Sequence, residues 1–307
     1  MGKIALLFAG QGAQTPGMGR DLYEKSPAAK EIYDMGEKSR PGTLATCFEG
    51  TKEELTLTEN TQPCLFLTDL ACAYALTEAG VKVDGVAGFS LGEIAALAFA
   101  GVLSDDDAFR LVTLRGEKMA ECAAKHPGGM AAVVKLSDEK VEELAAGFDE
   151  VWPVNYNCPG QVACAGKKEQ IAPFCEAVKA AGGRGIPLAV SGAFHTPYMQ
   201  DATKALAEAL TSLPVSEEHL PIWSNLTGDL YPASAEEIRA AIAAQASNSV
   251  RWADTLKKMY AEGYDTFIEV GAGKTLSGLV AKTLTGVTIA NVADVASLEA
   301  TLSALGA

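Results

Sequence analysis

The sequence lacks the long hydrophobic runs and the excess of positive charge that mark several large classes of protein. No stretch approaches the ~18 consecutive apolar residues of a membrane-spanning helix, so we expect no membrane association. Lysine and arginine number 25 against 39 aspartate and glutamate residues, which leaves a net charge of −14. Such an acidic chain is a poor candidate for binding nucleic acid.

Cysteine and histidine are too few, and too unfavourably spaced, for disulfides or a metal site. The seven cysteines are odd in number and include no C-x-x-C pair. We therefore interpret them as small buried residues of a protein in the reducing cytoplasm. His126, His195 and His219 are far apart and lack the spacing of metal ligands. The sequence predicts no metal site.

The order of predicted strands and helices indicates two structural units within the 307 residues. In residues 1–127 strands alternate with helices, which is typical of an α/β domain with a mostly parallel sheet. Residues 128–191 predict the order β-α-β-β-α-β of a ferredoxin-like α+β subdomain. Residues 192–307 return to α/β, so we expect a small unit inserted into a large one, with a cleft at the seam.

The most informative segment is residues 86–94, VAGFSLGEI. Gly88 and Gly92 flank Ser90 at the G-x-S-x-G spacing of a nucleophile elbow, a strained strand-to-helix turn that exposes a serine. The glycines allow close approach of backbone and substrate, and the helix N-terminus would stabilise an oxyanion. A serine that only caps the helix fits the same five residues. The apolar strand before it and the helix-forming residues after it favour the nucleophile.

His195 is the candidate general base for that serine. It lies where the inserted unit returns to the main domain, and a histidine beside a serine can accept its proton. His126 precedes a Pro-Gly turn and His219 follows two glutamates, so we interpret both as surface or capping residues.

Arg115 lies near the apolar face of a predicted helix. Pairing with Glu117 or Asp106 would explain it as a structural residue. Beside a nucleophile, however, its planar guanidinium would bind a substrate carboxylate.

Two glycine-rich segments resemble nucleotide-binding loops but lack required residues. Thr15 stands where a dinucleotide-binding loop needs its third glycine, and Ile268 stands where a phosphate loop ending at residues 273–275 needs its first. The glycines at positions 10 and 12 instead leave the N–H of Gln11 exposed as a candidate oxyanion donor.

Over nearly its whole length the sequence resembles the malonyl-CoA:acyl-carrier-protein transacylases of fatty-acid synthesis, which are related to the acyltransferase domains of polyketide synthases. The resemblance is carried by motifs in the same chain order. They are residues 8–14 (FAGQGAQ), 61–63 (TQP), 88–93 (GFSLGE), 115–116 (RG), 155–161 (NYNCPGQ), 192–195 (GAFH) and 269–274 (EVGAGK).

The resemblance implies an α/β-hydrolase-like large domain, residues 1–127 and 192–307, and a ferredoxin-like small subdomain, residues 128–191. It implies that Ser90 is acylated by malonyl-CoA and that His195 acts first as base and then as acid. The malonyl ester is then passed to the phosphopantetheine thiol of acyl carrier protein, without metal or other cofactor. We expect a cytoplasmic monomer.

The resemblance also assigns the remaining site residues. The N–H groups of Gln11 and Leu91 would form the oxyanion hole, and Arg115 would bind the malonyl carboxylate. Phe194 would fill the space that a methyl branch needs. Gln245 falls at the position of the residue that orients the histidine.

The chain departs from the family pattern at a few positions. Phe89 stands where histidine is usual, which removes a polar group beside the nucleophile. Ala193 and Ala272 stand where proline is common. Because carrier proteins are acidic, docking needs a local basic patch, for which the inserted unit offers Lys167, Lys168, Lys179 and Arg184.

Three other functions compete with malonyl transfer in fatty-acid synthesis. A stand-alone acyltransferase could serve a polyketide synthase with the same chemistry. A serine hydrolase would share the elbow, although Arg115 and the lack of an aspartate before His195 in triad order argue against it. A carrier-binding scaffold would not need both Ser90 and His195.

Overall fold

The structure, a computed structural model, describes residues 2–190 and 192–306 and contains two separate sheets. The strands are β1 (Lys3–Phe8), β2 (Gly85–Gly88), β3 (Gly128–Val134), β4 (Val151–Cys158), β5 (Gln161–Lys167), β6 (Arg184–Pro187), β7 (Ile222–Trp223), β8 (Tyr264–Val270) and β9 (Thr288–Val292). The helices are α1 (Arg20–Lys25), α2 (Pro27–Ser39), α3 (Thr43–Glu49), α4 (Lys52–Thr56), α5 (Thr58–Glu78), α6 (Leu91–Phe99), α7 (Asp105–Lys125), α8 (Asp138–Ala145), α9 (Lys168–Ala180), α10 (Gln200–Leu210), α11 (Ala235–Ala244), α12 (Trp252–Ala261), α13 (Thr275–Thr283) and α14 (Val295–Leu305). None of the helices in these ranges is both long and apolar enough to cross a membrane.

The larger sheet is parallel throughout, with strand order β7-β2-β1-β8-β9. Leu6 of β1 pairs with Val86 on one side and with Ile268 on the other. Most of β1 is buried and apolar, as expected for a strand covered by helices on both faces. Helix α5 is buried along most of its length against this sheet and its neighbouring helices. The prediction of an α/β domain with a parallel sheet is confirmed.

The smaller sheet is antiparallel, with strand order β4-β5-β3-β6. With α8 and α9 it follows the order β-α-β-β-α-β, so the ferredoxin-like fold is confirmed. Pro127 and Gly192 form a β-bridge where the chain enters and leaves this unit. The boundaries at residues 127/128 and 191/192 stay a prediction, and Ser191 lies outside the described residues.

Several helices and strands differ from the sequence-based prediction. The sequence pattern predicts a helix that begins at residue 62, but helix α5 begins at Thr58 and includes Pro63 in its N-terminal part. Strand β2 covers only the last part of the predicted segment 81–87. Helices α3, α4, α13 and α14 were not predicted. Helix α13 depends on a side chain of the preceding strand, because Glu269 of β8 accepts hydrogen bonds from the Leu276 and Ser277 backbone amides.

The turn between β2 and α6 brings helix and sheet unusually close together. Ser90, at its tip, has φ 56° and ψ −107°, a strained conformation for a residue with a side chain. A Cβ atom on Gly92 would lie 2.5 Å from the Ala9 carbonyl oxygen, and one on Gly88 would collide with the Gly92 carbonyl group. Both glycines are therefore required for packing.

We predict that Gly92→Ala destabilises the fold. The added methyl group must displace backbone rather than a flexible side chain, which costs about 1–3 kcal/mol of unfolding free energy. Gly278→Ala in α13 is the control, because its new Cβ meets no atom within 4 Å, and relief of the glycine penalty should stabilise the helix by about 0.5–1 kcal/mol. Urea unfolding of both variants measures the difference, and equal midpoints would contradict the prediction.

Candidate active site

Ser90 and His195 form a hydrogen-bonded pair in a cleft between the two sheets. The Ser90 Oγ lies 2.7 Å from His195 Nε2. Although Ser90 occupies the N-cap position of α6, its side chain makes no capping hydrogen bond. The interpretation of Ser90 as a simple helix cap is therefore wrong.

Two backbone carbonyl groups orient the imidazole of His195. Nδ1 lies 3.1 Å from the Gln245 oxygen and 3.0 Å from the Asn248 oxygen. Because carbonyl oxygens only accept, Nδ1 carries the proton and Nε2 is left to accept one from Ser90. No aspartate is needed for this tautomer. Gln245 thus contacts His195 through its main chain.

The environment keeps His195 neutral. Burial lowers the pKa of its imidazole to about 4, and the positive charge of Arg115 acts in the same direction. At neutral pH the ring is therefore uncharged, with a proton on Nδ1 and none on Nε2, which is the form that can act as a base.

Gln11 and Leu91 lie on either side of the nucleophile. Gln11 lines the same pocket as Ser90 and His195, and Leu91 is the first residue of α6. Among the described residues neither backbone amide donates a hydrogen bond. Both amides are thus available to an oxyanion, and their role stays a prediction.

Arg115 reaches the floor of the pocket from α7 and is 1% exposed. Its Nη2 donates to Ser90 Oγ at 3.1 Å and to Gln245 Oε1 at 2.8 Å. Its Nη1 donates to Gln62 Oε1 at 2.7 Å, while Nε has no hydrogen-bond partner among the described residues. The guanidinium is therefore held beside the nucleophile by neutral groups.

The charge of Arg115 is not neutralised by a contacting carboxylate. In residues 2–190 and 192–306 no ion pair within 4 Å includes it. Asp106 pairs with Arg110 instead, and Glu117 makes no ion pair with Arg115 either, so neither sequence-based structural pairing occurs. Burial lowers the pKa of Arg115 to about 10, which leaves it charged at neutral pH. A buried, unpaired cation creates a strong preference for an anionic ligand.

Apolar side chains form the walls around these polar groups. Phe194, directly before His195, is buried against the Ser90 pocket. The other apolar wall residues are Phe89, Met119, Met130, Leu188 and Val190. The pocket thus offers one charged group, Arg115, and a few neutral polar groups between apolar walls.

The pocket continues into a channel that leads outward between the two sheets. Gln11, Phe89, Asn155, Leu188 and Val190 line both. Further out, the channel is lined by Lys52 and Thr56 of α4, Asn157 and Gln161 of the small subdomain, and Thr275, Leu276 and Leu279 of α13. A long flexible group could therefore reach Ser90 from the surface.

Three residues of the site were missed by the sequence analysis. Asn225 Oδ1 accepts from the Ser90 amide at 2.7 Å, and its Nδ2 donates to the Gly88 oxygen at 2.6 Å. Gln62 and Glu93 lie in quoted motifs but were given no role. The sequence does hold a signal for Asn225, because residues 221–225 (PIWSN) predict a strand that ends at this residue. The carboxyl ends of parallel strands converge at one edge of a sheet, where sites form.

The departures from the family pattern are accommodated by packing. Phe89 packs edge-on against Trp252 with ring centroids 5.4 Å apart, so it anchors the elbow as an apolar residue. Ala193 and Ala272 are buried in the loops that flank the site.

The remaining histidines and the predicted basic patch lie away from the nucleophile. His126 ends α7 and stacks on Tyr198, and His219 Nδ1 contacts the Leu220 oxygen. The four basic residues of the inserted unit lie at the two ends of α9 and at the start of β6, and two of them have acidic neighbours. Lys167 lies 3.7 Å from Glu150, and Lys179 lies 3.9 Å from Glu176.

A serine on a strained elbow, activated by a neutral histidine, is typical of enzymes that pass an acyl group through a serine ester. The chain belongs to the acyl transferase domain family, whose model matches residues 5–300.

Relatives of known name support this membership. The chain is 39% identical over 311 residues to the malonyl CoA-acyl carrier protein transacylase of Bacillus subtilis, covering 99% of this chain and 98% of the relative. It is 35% identical over 309 residues to the protein of that name from Escherichia coli K12, covering 98% and 99%.

Solved structures agree over nearly the whole chain. The malonyl CoA-acyl carrier protein transacylase of Clostridium perfringens has a TM-score of 0.95 at 36% identity, with 99% of this chain and 97% of that chain covered. A malonyl-transacylase in complex with its type II PKS acyl-carrier protein has a TM-score of 0.94 at 34% identity, with 98% and 99% covered.

Proposed function

We propose that this protein transfers the malonyl group from malonyl-CoA to the phosphopantetheine thiol of acyl carrier protein, for fatty-acid synthesis. The observation that carries the proposal is the buried, unpaired guanidinium of Arg115, which lies 3.1 Å from the nucleophile Ser90. It selects an acyl group with a free carboxylate, and the relatives named above are malonyl transacylases.

The first half of the reaction loads the serine. His195 Nε2 accepts the proton of Ser90 as Oγ attacks the thioester carbonyl carbon of malonyl-CoA. The amides of Gln11 and Leu91 donate to the oxyanion. When the C–S bond breaks, His195 returns the proton to the thiolate of CoA, and a malonyl ester remains on Ser90.

The second half of the reaction transfers the malonyl group from Ser90 to the carrier protein. The phosphopantetheine thiol of the carrier protein gives its proton to His195 and attacks the ester carbonyl. The C–O bond to Ser90 breaks, and His195 returns the proton to Ser90 Oγ. These steps require only acid–base and nucleophilic groups of the chain, so we propose that no metal or redox cofactor takes part.

The pocket discriminates among acyl groups through charge and shape. A malonyl carboxylate would pair with Arg115, whereas acetyl would leave a buried cation without a partner. Phe194 forms an apolar wall beside the reacting atoms, where we propose that it disfavours a branched acyl group.

The channel suits the phosphopantetheine arm that CoA and carrier protein share. The side-chain oxygens of Asn155 and Asn157 are buried without a hydrogen-bond partner among the described residues. Both residues line the channel. The arm carries amide N–H groups, so we propose that these oxygens accept from it.

We propose that the carrier protein docks at the channel mouth. Lys52 lines its outer part, Lys282 Nζ lies 3.3 Å from Gln161 Oε1, and Lys274 precedes the lining residue Thr275. These three exposed lysines, the rim lysines, make no ion pair within 4 Å in the described part of the chain. They offer unneutralised positive charge to an acidic partner.

We further propose that the enzyme acts as a monomer in the cytoplasm. Ser90, His195 and Arg115 all come from one chain, so the site is complete without a second copy. The cysteines are free and nearly all buried, as suits a reducing compartment.

A polyketide carrier protein is the second candidate acceptor, since one structural relative is bound to such a carrier. The chemistry at Ser90 is the same for both. Comparing kcat/KM for fatty-acid and polyketide carriers separates them, and a clear preference for the polyketide carrier would assign the protein to that pathway.

We predict that Arg115→Ala reverses acyl selectivity. Loss of the guanidinium removes the partner of the malonyl carboxylate, so kcat/KM for malonyl-CoA should fall by about two orders of magnitude or more, while transfer of acetyl persists or rises. Steady-state transfer from each CoA ester measures the ratio.

Arg239→Ala is the matched control for this variant. Within the described residues, Arg239 hydrogen-bonds only to the backbone oxygens of Leu210 and Leu213, which do not line the pocket. Its variant should keep the native selectivity. An Arg115→Ala enzyme that still prefers malonyl would remove Arg115 from substrate recognition.

We predict that reversing the charge of the rim lysines impairs the second half-reaction. In the triple variant Lys52→Glu, Lys274→Glu, Lys282→Glu, KM for carrier protein should rise about ten-fold or more, because close charge pairs at an interface couple by more than about 1.4 kcal/mol. The malonyl-CoA half-reaction should change less.

The control variant reverses Lys167 and Lys179 on the inserted unit. A larger rise of KM in that control than in the rim variant would place docking on the small subdomain instead. Raising the ionic strength should also weaken carrier binding more than malonyl-CoA loading.

A further inference from the structure

Glu93 is a buried carboxylate that the mechanism above does not use. It lies one helical turn after Ser90 on α6 and is 0% exposed. Oε1 accepts from the backbone N–H of Asn225 at 3.0 Å and from the Tyr231 hydroxyl at 2.7 Å. Oε2 accepts from Gln245 Nε2 at 2.7 Å. Both oxygens therefore act as hydrogen-bond acceptors.

The groups that Glu93 holds are those that hold the nucleophile. Asn225 Oδ1 accepts from the Ser90 amide, and Gln245 Nε2 donates to the Ser90 carbonyl oxygen at 2.6 Å. The peptide groups on both sides of the strained Ser90 are thus fixed by side chains. A residue at φ 56° stays in that conformation only when its surroundings impose it.

Gln245 extends the same network to the substrate arginine. Its Oε1 accepts from Arg115 Nη2, and its Nε2 donates to Glu93. An amide side chain has one donating and one accepting end. The acceptor character of Glu93 therefore fixes which end of Gln245 faces Arg115.

We propose that Glu93 is a positioning residue that holds the nucleophile turn and the carboxylate-binding arginine in one hydrogen-bonded assembly. It acts on Ser90 through Asn225 and Gln245, and on Arg115 through Gln245. The part that concerns Arg115 rests on the proposed function, whereas the part that concerns Ser90 does not.

A carboxylate is required because both of its oxygens accept. In Glu93→Gln, the new amide NH₂ must face either the Asn225 N–H or Gln245 Nε2, and both are donors. Rotating the Gln245 amide would relieve the second conflict. It would, however, place the Gln245 oxygen against the Ser90 carbonyl and its NH₂ against Arg115. The mismatch between donors and acceptors would thereby move from Glu93 to the Ser90 carbonyl oxygen and to Arg115.

Protonation of Glu93 should disturb the same hydrogen bonds as the Glu93→Gln substitution, because a protonated carboxyl group has an oxygen that donates. Burial raises the pKa of this carboxyl group to about 7, while hydrogen bonds from Tyr231, Asn225 and Gln245 and the charge of Arg115 lower it. The charged group facing it is Arg115 of α7, and the titratable hydroxyl is that of Tyr231. The active carboxylate is present above the pKa and is lost as pH falls through it.

The test measures single-turnover acylation of Ser90 by malonyl-CoA and acetyl-CoA across pH. Glu93→Gln should slow both acylations about a hundred-fold, as expected for a misplaced reacting group. It should also lower the ratio of the malonyl to the acetyl acylation rate. In the plot of acylation rate against pH, it should abolish the acidic limb, which is the fall in rate that the native enzyme shows as pH drops through neutrality. A thermal melt checks that the variant is folded.

Tyr231→Phe is the matched variant, because it removes one donor to Glu93 and leaves Asn225 and Gln245 in place. Its acylation rate at high pH should stay near the native rate. Its acidic limb should move to higher pH, since a bond that favours the carboxylate is gone. This variant keeps the test decisive if Glu93→Gln fails to fold.

A fluorophosphonate that labels reactive serines separates this proposal from the proposed function. If the fluorophosphonate labels Ser90 of the native protein but malonyl-CoA does not acylate it, the proposed function is refuted and the positioning role of Glu93 is not. A folded Glu93→Gln variant that labels and acylates at native rates would overturn the positioning role. An unmoved acidic limb in Tyr231→Phe would do so as well.

Discussion

The buried charge of Arg115 is the constraint on which the rest of the site depends. A guanidinium removed from water is costly unless it is paired or hydrogen-bonded. Here Gln62, Gln245 and Ser90 Oγ accept hydrogen bonds from the guanidinium, while in the described part of the chain no carboxylate lies within 4 Å of it. The same charge helps to keep His195 neutral. The charge of Arg115 thus contributes both to substrate preference and, after burial, to the low pKa of His195.

The parallel sheet brings these groups together at one edge. The loop with Gln11 follows β1, Ser90 follows β2, and Asn225 lies just after β7, all at carboxyl ends of neighbouring strands. Ligand sites of open α/β sheets form at this edge. The small antiparallel unit closes the cleft from the other side and contributes Met130 and Asn155 to the pocket. The insertion therefore completes the site that the large domain begins.

Sequence patterns were sufficient to predict functional groups whose role depends mainly on neighbouring residues in the chain. The elbow at Ser90 is a contiguous pattern, and its strand, turn and helix follow from neighbouring residues. His195 could be proposed because the chain has only three histidines, and Arg115 because it lies near the apolar face of a predicted helix and matches a family motif. The α/β and ferredoxin-like orders were likewise visible in the alternation of segments.

Contacts between distant parts of the chain could not be predicted. Asn225 binds the Ser90 amide across 135 positions of sequence, and no local pattern links the two. The pair of Lys167 and Glu150 shows the same limit, because only the pairing of β4 with β5 brings these two residues together. Lys179 and Glu176, by contrast, are three residues apart on α9, so their pairing is visible in the sequence. Helix α13 shows a different limit: it contains glycine, serine and threonine, which are weak helix formers, and its N-terminus is capped by Glu269 of the strand directly before it.

Intact mass of the protein after brief exposure to malonyl-CoA tests the central claim most directly, with Ser90→Ala and acetyl-CoA in parallel. A malonyl adduct on the native protein, absent from the variant and much weaker with acetyl-CoA, is the result predicted by a serine ester selected by Arg115. Steady release of CoA without an adduct would mean that water completes the reaction, as in a hydrolase. Neither an adduct nor CoA release would contradict acyl transfer from malonyl-CoA altogether.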